Sequence, residues 1–281
     1  ETDSGLGSIQ TQWRKKEING MSYGRLYPHH PKNKLFLMMG MSRELKETLI
    51  YDLCIDIDFV NSHPLILKHL CKQHDIQCPN LETYCEHREL AIEEVIKEHD
   101  VSREIAKKLY SSILYGGAYD SWKNDKENNV IHKKPSIPFV DDFKKEIKLI
   151  TKFLKGEYPE INLFAKHLNK IKKNDNEFGT TMSYILAEKE DEILQYLWEM
   201  VEKDGWQVNS PSYDGLLIMK DQERSFDVTI YETMIREHFN FPDFGLKEKP
   251  MERYEAYTRI GKKDLIVEAD DTAAEHFVKN I

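Results

Sequence analysis

The stretch CIDIDFVNSHP, residues 54–64, decides how this chain folds and where its chemistry is expected. Apolar and acidic residues alternate through its first half, which is the period of a half-buried β-strand. Pro64 then opens an apolar helix, because proline is tolerated in the first turn of a helix. Asp58 therefore lies where a strand gives way to a helix, a place from which a carboxylate can point out of a sheet.

A second carboxylate, Asp214, lies in the stretch VNSPSYDGLLIM, which reads as two short strands joined at a turn. Magnesium takes hard oxygen ligands and is usually held by one or two carboxylates plus substrate phosphate. Two aspartates from adjacent strands can hold two ions, one activating a 3′-hydroxyl and one neutralising the departing phosphates. Asp56 shares a strand face with Asp58, so the sequence leaves both of them as candidate ligands.

The stretch SREIAKKLYSSILYGG lies between the two aspartates and predicts a helix that starts after Ser102. Four of its side chains follow at steps of four residues and so share one slowly drifting helix face: Arg103, Lys107, Ser111 and Tyr115. The two cations can engage the phosphates of a nucleotide, and Lys107 can also protonate leaving pyrophosphate. Taken alone, the same stretch also fits an amphipathic helix with incidental charges.

The charge of the chain is distributed unevenly. A formal net charge of -9 argues mildly against nucleic acid binding, because phosphate contacts need lysine and arginine. Residues 143–173, however, hold nine lysines against three glutamates, and residues 13–46 hold eight lysines and arginines against two glutamates. These two basic segments are compatible with a basic cleft on an acidic body. Each segment alone fits a solvated helix face equally well.

The patterns along the 281 residues indicate an α+β protein with a small antiparallel sheet and much helix. No run of eighteen apolar residues and no signal peptide is present, so we expect an intracellular protein without membrane contact. The first residue is Glu1 rather than Met, from which we expect a longer polypeptide with further domains. Four cysteines without a CxxC pair suit a reducing compartment. Half-buried thiols are the first interpretation, and the alternative is a zinc site from Cys71, His74, Cys78 and Cys85.

The three stretches resemble motifs A, B and C of the family A DNA polymerases and their single-subunit RNA polymerase relatives. Arg103, Lys107 and Tyr115-Gly116 match the R-x3-K-x7-YG pattern of motif B. Asp58 corresponds to the metal-binding aspartate of motif A, and Asp214 to the hairpin aspartate of motif C. The phrase DIDFVNSHP is most similar to the compact transposon and virophage branch, whose polymerases are fused to a superfamily 3 helicase.

The resemblance covers about residues 20 to 240 and implies a right-hand polymerase fold with a reduced or absent thumb. In that fold a palm carries the small antiparallel sheet and helical fingers pack beside it. Residues 1–64 would form an N-terminal part with the first palm strands, and residues 65–176 a helical fingers-like region. Residues 177–245 would form a palm with the motif C hairpin, and residues 246–281 a tail or linker to a missing domain.

The implied activity is template-directed nucleotidyl transfer by a two-metal mechanism, as a DNA polymerase for which priming stays open. Its cofactor would be two Mg²⁺ ions, with Mn²⁺ as the substitute. Its partners would be a DNA template-primer, a dNTP or an NTP, and a helicase domain in the same polypeptide. A virophage relation would place it at a viral replication site in the host cytoplasm or nucleus. The alternatives are a catalytically silent nucleic-acid-binding module, an RNA polymerase-like enzyme and a metal-dependent nuclease.

The resemblance also assigns roles to individual residues. The expected catalytic residues are Asp58, Asp214 and Lys107, and the expected metal-contacting residues are Asp58, Asp214 and Phe59. The expected nucleotide-binding residues are Arg103, Lys107, Ser111, Tyr115 and His63. The expected nucleic-acid contacts are Arg25, Arg43, Tyr213, Lys148 and Lys152. The chain departs from the DNA polymerases at His63, where they carry a glutamate that excludes ribonucleotides, and at Tyr213-Asp214-Gly215, where they carry His-Asp-Glu.

Overall fold

The computed structural model describes residues 12–29, 41–128, 130 and 136–254. Its strands are β1 (Gln12–Ile18), β2 (Met21–His29), β3 (Cys54–Phe59), β4 (Val208–Pro211), β5 (Gly215–Met219) and β6 (Leu246–Lys249). Its helices are α1 (Arg43–Ile50), α2 (Ser62–Gln73), α3 (Pro79–Glu86), α4 (Arg88–His99), α5 (Arg103–Leu114), α6 (Tyr119–Asn124), α7 (Pro138–Glu157), α8 (Pro159–Lys172), α9 (Glu177–Lys203) and α10 (Val228–His238). The stretch KLFLMMG, residues 34–40, has the apolar composition that predicts a short strand, and it lies outside the described residues.

The main sheet has the strand order β4-β5-β3-β6, and its neighbouring strands are antiparallel. The central strand β3 places Asp58 opposite Gly215 of β5 and opposite Lys247 of β6. A separate hairpin joins β1 to β2. The described chain is thus mixed α+β with small antiparallel sheets. The segment predicted as a tail from residue 246 differs from that expectation, because residues 246–249 form a strand of the main sheet.

Helices α1 and α5 begin at serine caps, whereas α2 begins at Ser62, two residues before Pro64. Ser42 Oγ accepts a hydrogen bond from Leu45 N at the start of α1, and Ser102 Oγ accepts one from Ile105 N at the start of α5. Both distances are 3.3 Å, and both serines satisfy an amide that the first helical turn leaves unpaired. Helix α5 gives way at Tyr115 to Gly116, whose φ of 77° is a conformation that glycine adopts without strain.

The polar run KNDKENN and two prolines predict a loop over residues 120–138, but the described part of this range is partly helical. Helix α6 and a short 3-10 turn, Lys126–Asn128, occupy its first part. The reason is burial of two aromatic side chains, Tyr119 and Trp122. The indole Nε1 of Trp122 also donates to the carbonyl oxygen of Ile105, at 3.1 Å, which ties α6 to α5.

The principal hydrophobic core extends along the chain from Ile57 to Leu246. This core joins the main sheet to helices that lie between its strands along the chain, including α5, α7 and the long helix α9. The segments expected to divide at residues 64 and 176 therefore share one core. Among the described residues, every helix is too short or too polar to span a membrane.

The β1–β2 hairpin packs on α8 and α9. Ile18 forms a small second core with Phe164 and Leu168 of α8. Lys15 pairs with Glu188 at 2.7 Å and with Asp191 at 2.9 Å, both on α9. Part of the acidic run EKEDE of α9 therefore binds the hairpin instead of facing solvent.

The zinc site left open by the sequence has no support in the described residues. They contain no group of three or more histidine, cysteine, aspartate or glutamate side chains that could hold a metal ion. Cys71 and Cys78 are buried, Cys85 is half-buried, and His74 lies 3.6 Å from Glu157. The thiols thus belong to the packing between α2 and α3.

Candidate active site

Asp58 and Asp214 are neighbours at one end of the main sheet. Asp58 is next to last in β3, Asp214 directly precedes β5, and the amide of Phe59 donates to the carbonyl oxygen of Asp214 at 2.8 Å. Both aspartates line one cleft with a volume of about 290 Å³. Asp56, the alternative ligand, is only 4% exposed and is not among the residues lining that cleft. The structure therefore brings together the two carboxylates that the sequence predicts, and it favours Asp58 over Asp56.

The two carboxylates repel each other. Burial, and after it the negative charge of Asp214, raise the pKa of Asp58 to about 6. Lys247 and Lys249 oppose this effect, but each Nζ lies 3.9 Å from Asp58 Oδ2, beyond hydrogen-bond distance. The nearby lysines balance the negative charge of these two partly buried carboxylates only in part. Such a pair of carboxylates is a donor set that suits a divalent cation.

Phe59 can offer such a cation only its main-chain carbonyl oxygen. Its side chain is buried and packs edge-on against Phe244, with ring centroids 5.0 Å apart. In the described part of the chain no third carboxylate, histidine or cysteine joins the two aspartates. The remaining ligands of a metal ion would therefore be main-chain, water or substrate oxygens.

Gly215 explains why the hairpin departs from the His-Asp-Glu pattern. A Cβ at this position would lie 1.9 Å from the carbonyl oxygen of Ile57, so β5 approaches β3 too closely for any side chain. Tyr213, on the other side of Asp214, has a φ of 56° at the turn. The guanidinium of Arg25 lies 5.5 Å from the centroid of its ring, which brings these two predicted nucleic-acid contacts together.

Helix α5 contributes only part of its predicted binding face to the cleft. Lys107, Ser111 and Tyr115 line the cleft, but Arg103 does not. The guanidinium of Arg103 instead forms an ion pair with Glu89 of α4, with Nη2 2.8 Å from Oε1. The structure therefore does not place Arg103 in the cleft beside Lys107, because its guanidinium pairs with Glu89 of α4.

Arg88 supplies a cation that the sequence analysis missed. It begins α4, lines the cleft and lies 3.6 Å from Glu89 through Nη1. Its Nε is buried and has no hydrogen-bond partner among the described residues. A buried guanidinium nitrogen without an acceptor is costly, and the side chain that carries it lines the cleft.

A buried network around Glu190 of α9 closes the other side of the cleft. Glu190 is fully buried and accepts hydrogen bonds at 2.6 Å from Arg25 Nε and from Ser62 Oγ. His63 Nε2 lies 3.2 Å from Glu190 Oε1, and His63 Nδ1 contacts the hydroxyl of Tyr115. The network connects β2, α2, α5 and α9 in one set of polar contacts.

The charge state of this network follows from its contacts. Burial alone would raise the pKa of Glu190, but the hydrogen bond from His63 and the charge of Arg25 lower it overall. Glu190 is therefore an ionised carboxylate held inside the protein. Burial raises the pKa of Tyr115, so its hydroxyl stays protonated and can act as a hydrogen-bond donor.

A sequence signal for Glu190 does exist. Leu186, Ile193 and Leu197 are buried on α9, and Glu190 lies among them at helical spacing on the same buried face. An acidic residue at an apolar position of an amphipathic helix is rarely left unpaired. The signal was hidden by the neighbouring acidic residues of the run EKEDE.

The other predicted nucleic-acid contacts lie away from the cleft. Arg43 pairs with Glu47 within α1, at 2.6 Å, and is not among the residues lining the cleft. Lys148 and Lys152 are exposed on α7, while Phe143 of the same helix reaches the cleft. Of the five residues predicted for this role, only Arg25 and Tyr213 are placed beside the two aspartates.

No model of a known protein family matches the chain. Over 234 residues it is 28% identical to a Sputnik virophage protein named "Putative helicase V13". The match covers 82% of this chain and 28% of that protein, so the chain spans little more than a quarter of its relative's length. It supports the virophage relation that the motifs indicated. Membership of the family A polymerases stays a prediction.

Proposed function

We propose that this chain extends a nucleic acid strand by template-directed nucleotidyl transfer, with two divalent metal ions held at Asp58 and Asp214. The observation that carries the proposal is the meeting of these two carboxylates across adjacent strands, in one cleft with Lys107 and Arg88. In this proposal the main sheet serves as the palm of a polymerase, and α5 belongs to its fingers.

The residues present fit a magnesium or manganese pair. Two carboxylates with partial compensation, a main-chain carbonyl at Phe59 and substrate phosphates supply the hard oxygens that these ions take. When bound, the ions activate the 3′-hydroxyl of a primer and neutralise charge on the leaving pyrophosphate. Asp58 must lose its proton to act as a ligand, and a neighbouring cation favours that loss.

The cations of the cleft bind and orient the triphosphate in this proposal. Arg88 offers its guanidinium to a phosphate, and Lys107 offers an ammonium group in the same cleft. Lys107 is only loosely paired, with Glu104 at 3.7 Å, so it is available to protonate the leaving pyrophosphate. Arg103 is engaged by Glu89 and does not share this role.

Tyr115 and His63 both line the cleft. Tyr115 belongs to the motif B stretch, and His63 follows the motif A aspartate Asp58 by five residues. Tyr115 is held from two sides, since Asn176 Nδ2 donates to its carbonyl oxygen at 3.0 Å and His63 contacts its hydroxyl. A fixed neutral phenol offers a surface for the sugar or base of an incoming nucleotide. We leave the choice between dNTP and NTP to the experiment below.

The match to a larger virophage protein suggests a place in replication. That protein's name describes a helicase, and this chain corresponds to about a quarter of it. We propose that the chain is the strand-synthesis part of such a protein, acting on a DNA template-primer beside a helicase part. The 281 residues contain no G-x-x-x-x-G-K-[ST] loop, so the proposal relies on the carboxylate pair for nucleotide chemistry.

The deciding experiment is primer extension on a DNA template with Mg²⁺ or Mn²⁺, offering dNTPs and NTPs in parallel. The intact protein should extend the primer, and Asp214→Ala should lower the rate at least about a thousandfold, since metal ligands carry most of the transition-state stabilisation. Asp221→Ala, a matched change at an exposed aspartate, should leave the rate unchanged. No extension by the intact protein, or equal extension by Asp214→Ala, would reject the proposal.

A catalytically silent nucleic-acid-binding module is the second candidate. The close approach at Gly215 favours it, because it leaves no room for the second acidic residue that the polymerase hairpin carries. Binding that falls steeply with salt, together with no metal-dependent incorporation of either nucleotide type, would establish this module instead. Release of nucleotides from end-labelled DNA would point to a nuclease.

A further inference from the structure

The positive charge of residues 143–173 is exposed on two helix faces. On α7 the exposed lysines follow at spacings of three and four residues: Lys145, Lys148 and Lys152. On α8 and its C-cap they follow in the same way: Lys166, Lys170 and Lys173. Residues so spaced lie on one side of a helix, and the opposite sides of both helices are buried in the protein.

The two faces adjoin each other near the start of α9. Lys155 of α7 pairs with Glu177 at 2.6 Å. The hydrogen bond from Lys155 lowers the pKa of Glu177, and the charge of Lys166 on α8 lowers it further. One lysine from each helix is therefore close to Glu177, which brings the two lysine faces next to each other.

The second basic segment of the sequence reaches the same surface through the β1–β2 hairpin. Ile18 packs on Phe164 of α8, and Asn19 Nδ2 lies 3.1 Å from His167 Nδ1. Burial, and after it the positive charge of Lys172, lower the pKa of Lys16 of β1. Two runs of positive charge that are far apart in sequence are thus neighbours in space.

Two acidic residues near this surface are engaged by groups outside the lysine faces. Glu146 turns inward and accepts hydrogen bonds from the amides of Asn80 and Leu81. Glu160 accepts a hydrogen bond from the hydroxyl of Tyr23 at 2.6 Å. Within the described ranges, no ion pair involves the exposed lysines of the basic face, which we define as Lys148, Lys152, Lys166, Lys170 and Lys173.

Exposed apolar side chains follow two of these lysines directly in sequence. Phe153 is 43% exposed next to Lys152, and Leu149 is 69% exposed next to Lys148. Lysines interleaved with an exposed aromatic ring suit a single nucleic acid strand, whose phosphates bind the ammonium groups and whose bases stack on the ring.

The hairpin also connects the basic face to the cleft. Lys16 pairs across the hairpin with Tyr23, and Arg25 follows Tyr23 by two residues on β2. Two residues of a strand span about 7 Å. Arg25 lines the cleft with the two aspartates, so the hairpin that packs on α8 also reaches the cleft.

We propose that the basic face is a track that binds the phosphates of a single nucleic acid strand on its way to or from the cleft. The inference deepens the proposed function by locating where the strand lies outside the cleft. It can fail separately, because strand binding needs neither metal nor catalysis.

The test measures binding of a fluorescent single-stranded oligonucleotide in EDTA, without nucleotide, at several salt concentrations. Lys148→Glu/Lys170→Glu should weaken binding about tenfold or more at 0.1 M salt and reduce the salt slope by about 1.4 or more, since each phosphate contact on a single strand contributes about 0.7. Lys126→Glu/Lys203→Glu makes the same charge change at two exposed lysines outside the basic face and should bind like the unmodified chain. Lys148→Gln/Lys170→Gln should give an intermediate slope.

Unchanged affinity and slope in Lys148→Glu/Lys170→Glu, with wild-type melting behaviour, would overturn the inference. Equal losses in the control pair would overturn it too, because the effect would then reflect net charge. Binding to vesicles of anionic phospholipid in place of the oligonucleotide would assign the face to a membrane surface. Asp214→Asn should bind the oligonucleotide normally, which separates a failure of catalysis from a failure of the track.

Discussion

Glu190 and Arg25 lie 2.6 Å apart, on α9 and β2, and form a salt bridge whose carboxylate is fully buried. The guanidinium is 28% exposed and faces the cleft. The pair therefore anchors a cleft residue to the longest helix of the described chain. A buried carboxylate is tolerable only while its partners remain, so the site and the fold depend on the same contact.

Glu190→Gln should destabilise the protein by about 3 kcal/mol, because it leaves the charge of Arg25 without its partner and disturbs the contacts of Ser62 and His63. The measurement is chemical denaturation at pH 7.5. The pKa of Glu190 lies below its ordinary value of 4.5 in the folded protein, so its contribution is present above that pH and is lost as the pH falls further. The gap between the two proteins should therefore close in acid.

Glu192→Gln is the matched control for this change. Glu192 is 44% exposed on the same helix and pairs with Lys189 at 2.9 Å. Exposed ion pairs of this kind contribute about 0.5 kcal/mol or less. A loss of stability as large in Glu192→Gln as in Glu190→Gln would show that the buried network is not the cause.

Asp58→Asn should stabilise the metal-free protein above pH 6 by about 1 to 3 kcal/mol. The pKa of Asp58 is raised by burial and by Asp214 to about 6, above its ordinary value of 3.8. The folded protein thus holds this proton more tightly than the unfolded chain, and stability falls as the pH rises from about 4 to 6. Thermal melts across this range should show the variant's advantage growing with pH.

Metal binding provides the counterpart of this melt series. Mg²⁺ should raise the melting temperature of the unmodified chain at pH 7.5, because a cation relieves the repulsion between the carboxylates. Asp58→Asn should lose most of that response. Asp52→Asn, at a side chain 65% exposed in the neighbouring turn, should respond to Mg²⁺ like the unmodified chain. An equal Mg²⁺ response in all three proteins would count against a metal site at Asp58.

The local parts of the site could be predicted from the sequence. Alternation of apolar and acidic residues placed β3 and Asp58, and turn residues placed Asp214 between two strands. Ser102 marked the start of α5, and its side chain does accept the capping hydrogen bond. These features depend on residues within about one turn or one strand of each other, so their patterns are visible in a single stretch of sequence.

The parts that sequence reasoning missed depend on long-range partners. Arg103 leaves the cleft because Glu89, on another helix, pairs with it. The sequence predicted a role for Arg25 but not its buried partner Glu190, which lies 165 positions further along the chain. Lys247 faces Asp58 only because β6 joins the edge of the sheet. No local pattern encodes these partnerships, since each is chosen by packing of elements that are distant in the chain.

Gly215→Ala should destabilise the protein by at least about 2 kcal/mol, because its Cβ would overlap the carbonyl oxygen of Ile57 and push β5 away from β3. The same shift would separate Asp58 from Asp214, so the Mg²⁺ response should weaken as well. Gly156→Ala, near the end of α7, adds a methyl group into open space and should be neutral or slightly stabilising. Similar melting temperatures for both variants would contradict the close approach at Gly215.

Arg88 of α4 and Lys107 of α5 line the cleft, whereas Arg103 of α5 does not, and this difference gives a kinetic prediction for the proposed activity. Arg88→Ala and Lys107→Ala should each lower kcat/KM for nucleotide incorporation about a hundredfold, since both side chains line the cleft. Arg103→Ala should lower it by less than about fivefold, because its guanidinium is paired with Glu89 and lies outside the cleft. Single-nucleotide incorporation at varied nucleotide concentration separates the effects on kcat and KM.

Glu89→Ala tests the observed pairing of Arg103 with Glu89 against the motif-based prediction that Arg103 binds the nucleotide beside Lys107. Glu89 contacts both Arg103 and Arg88, so its removal frees two guanidinium groups without touching the aspartates. Glu89→Ala should alter KM for the nucleotide more than kcat, because only the positioning of phosphate-binding cations changes. A hundredfold loss in Arg103→Ala together with normal rates in Arg88→Ala would instead show that Arg103 enters the cleft during the reaction.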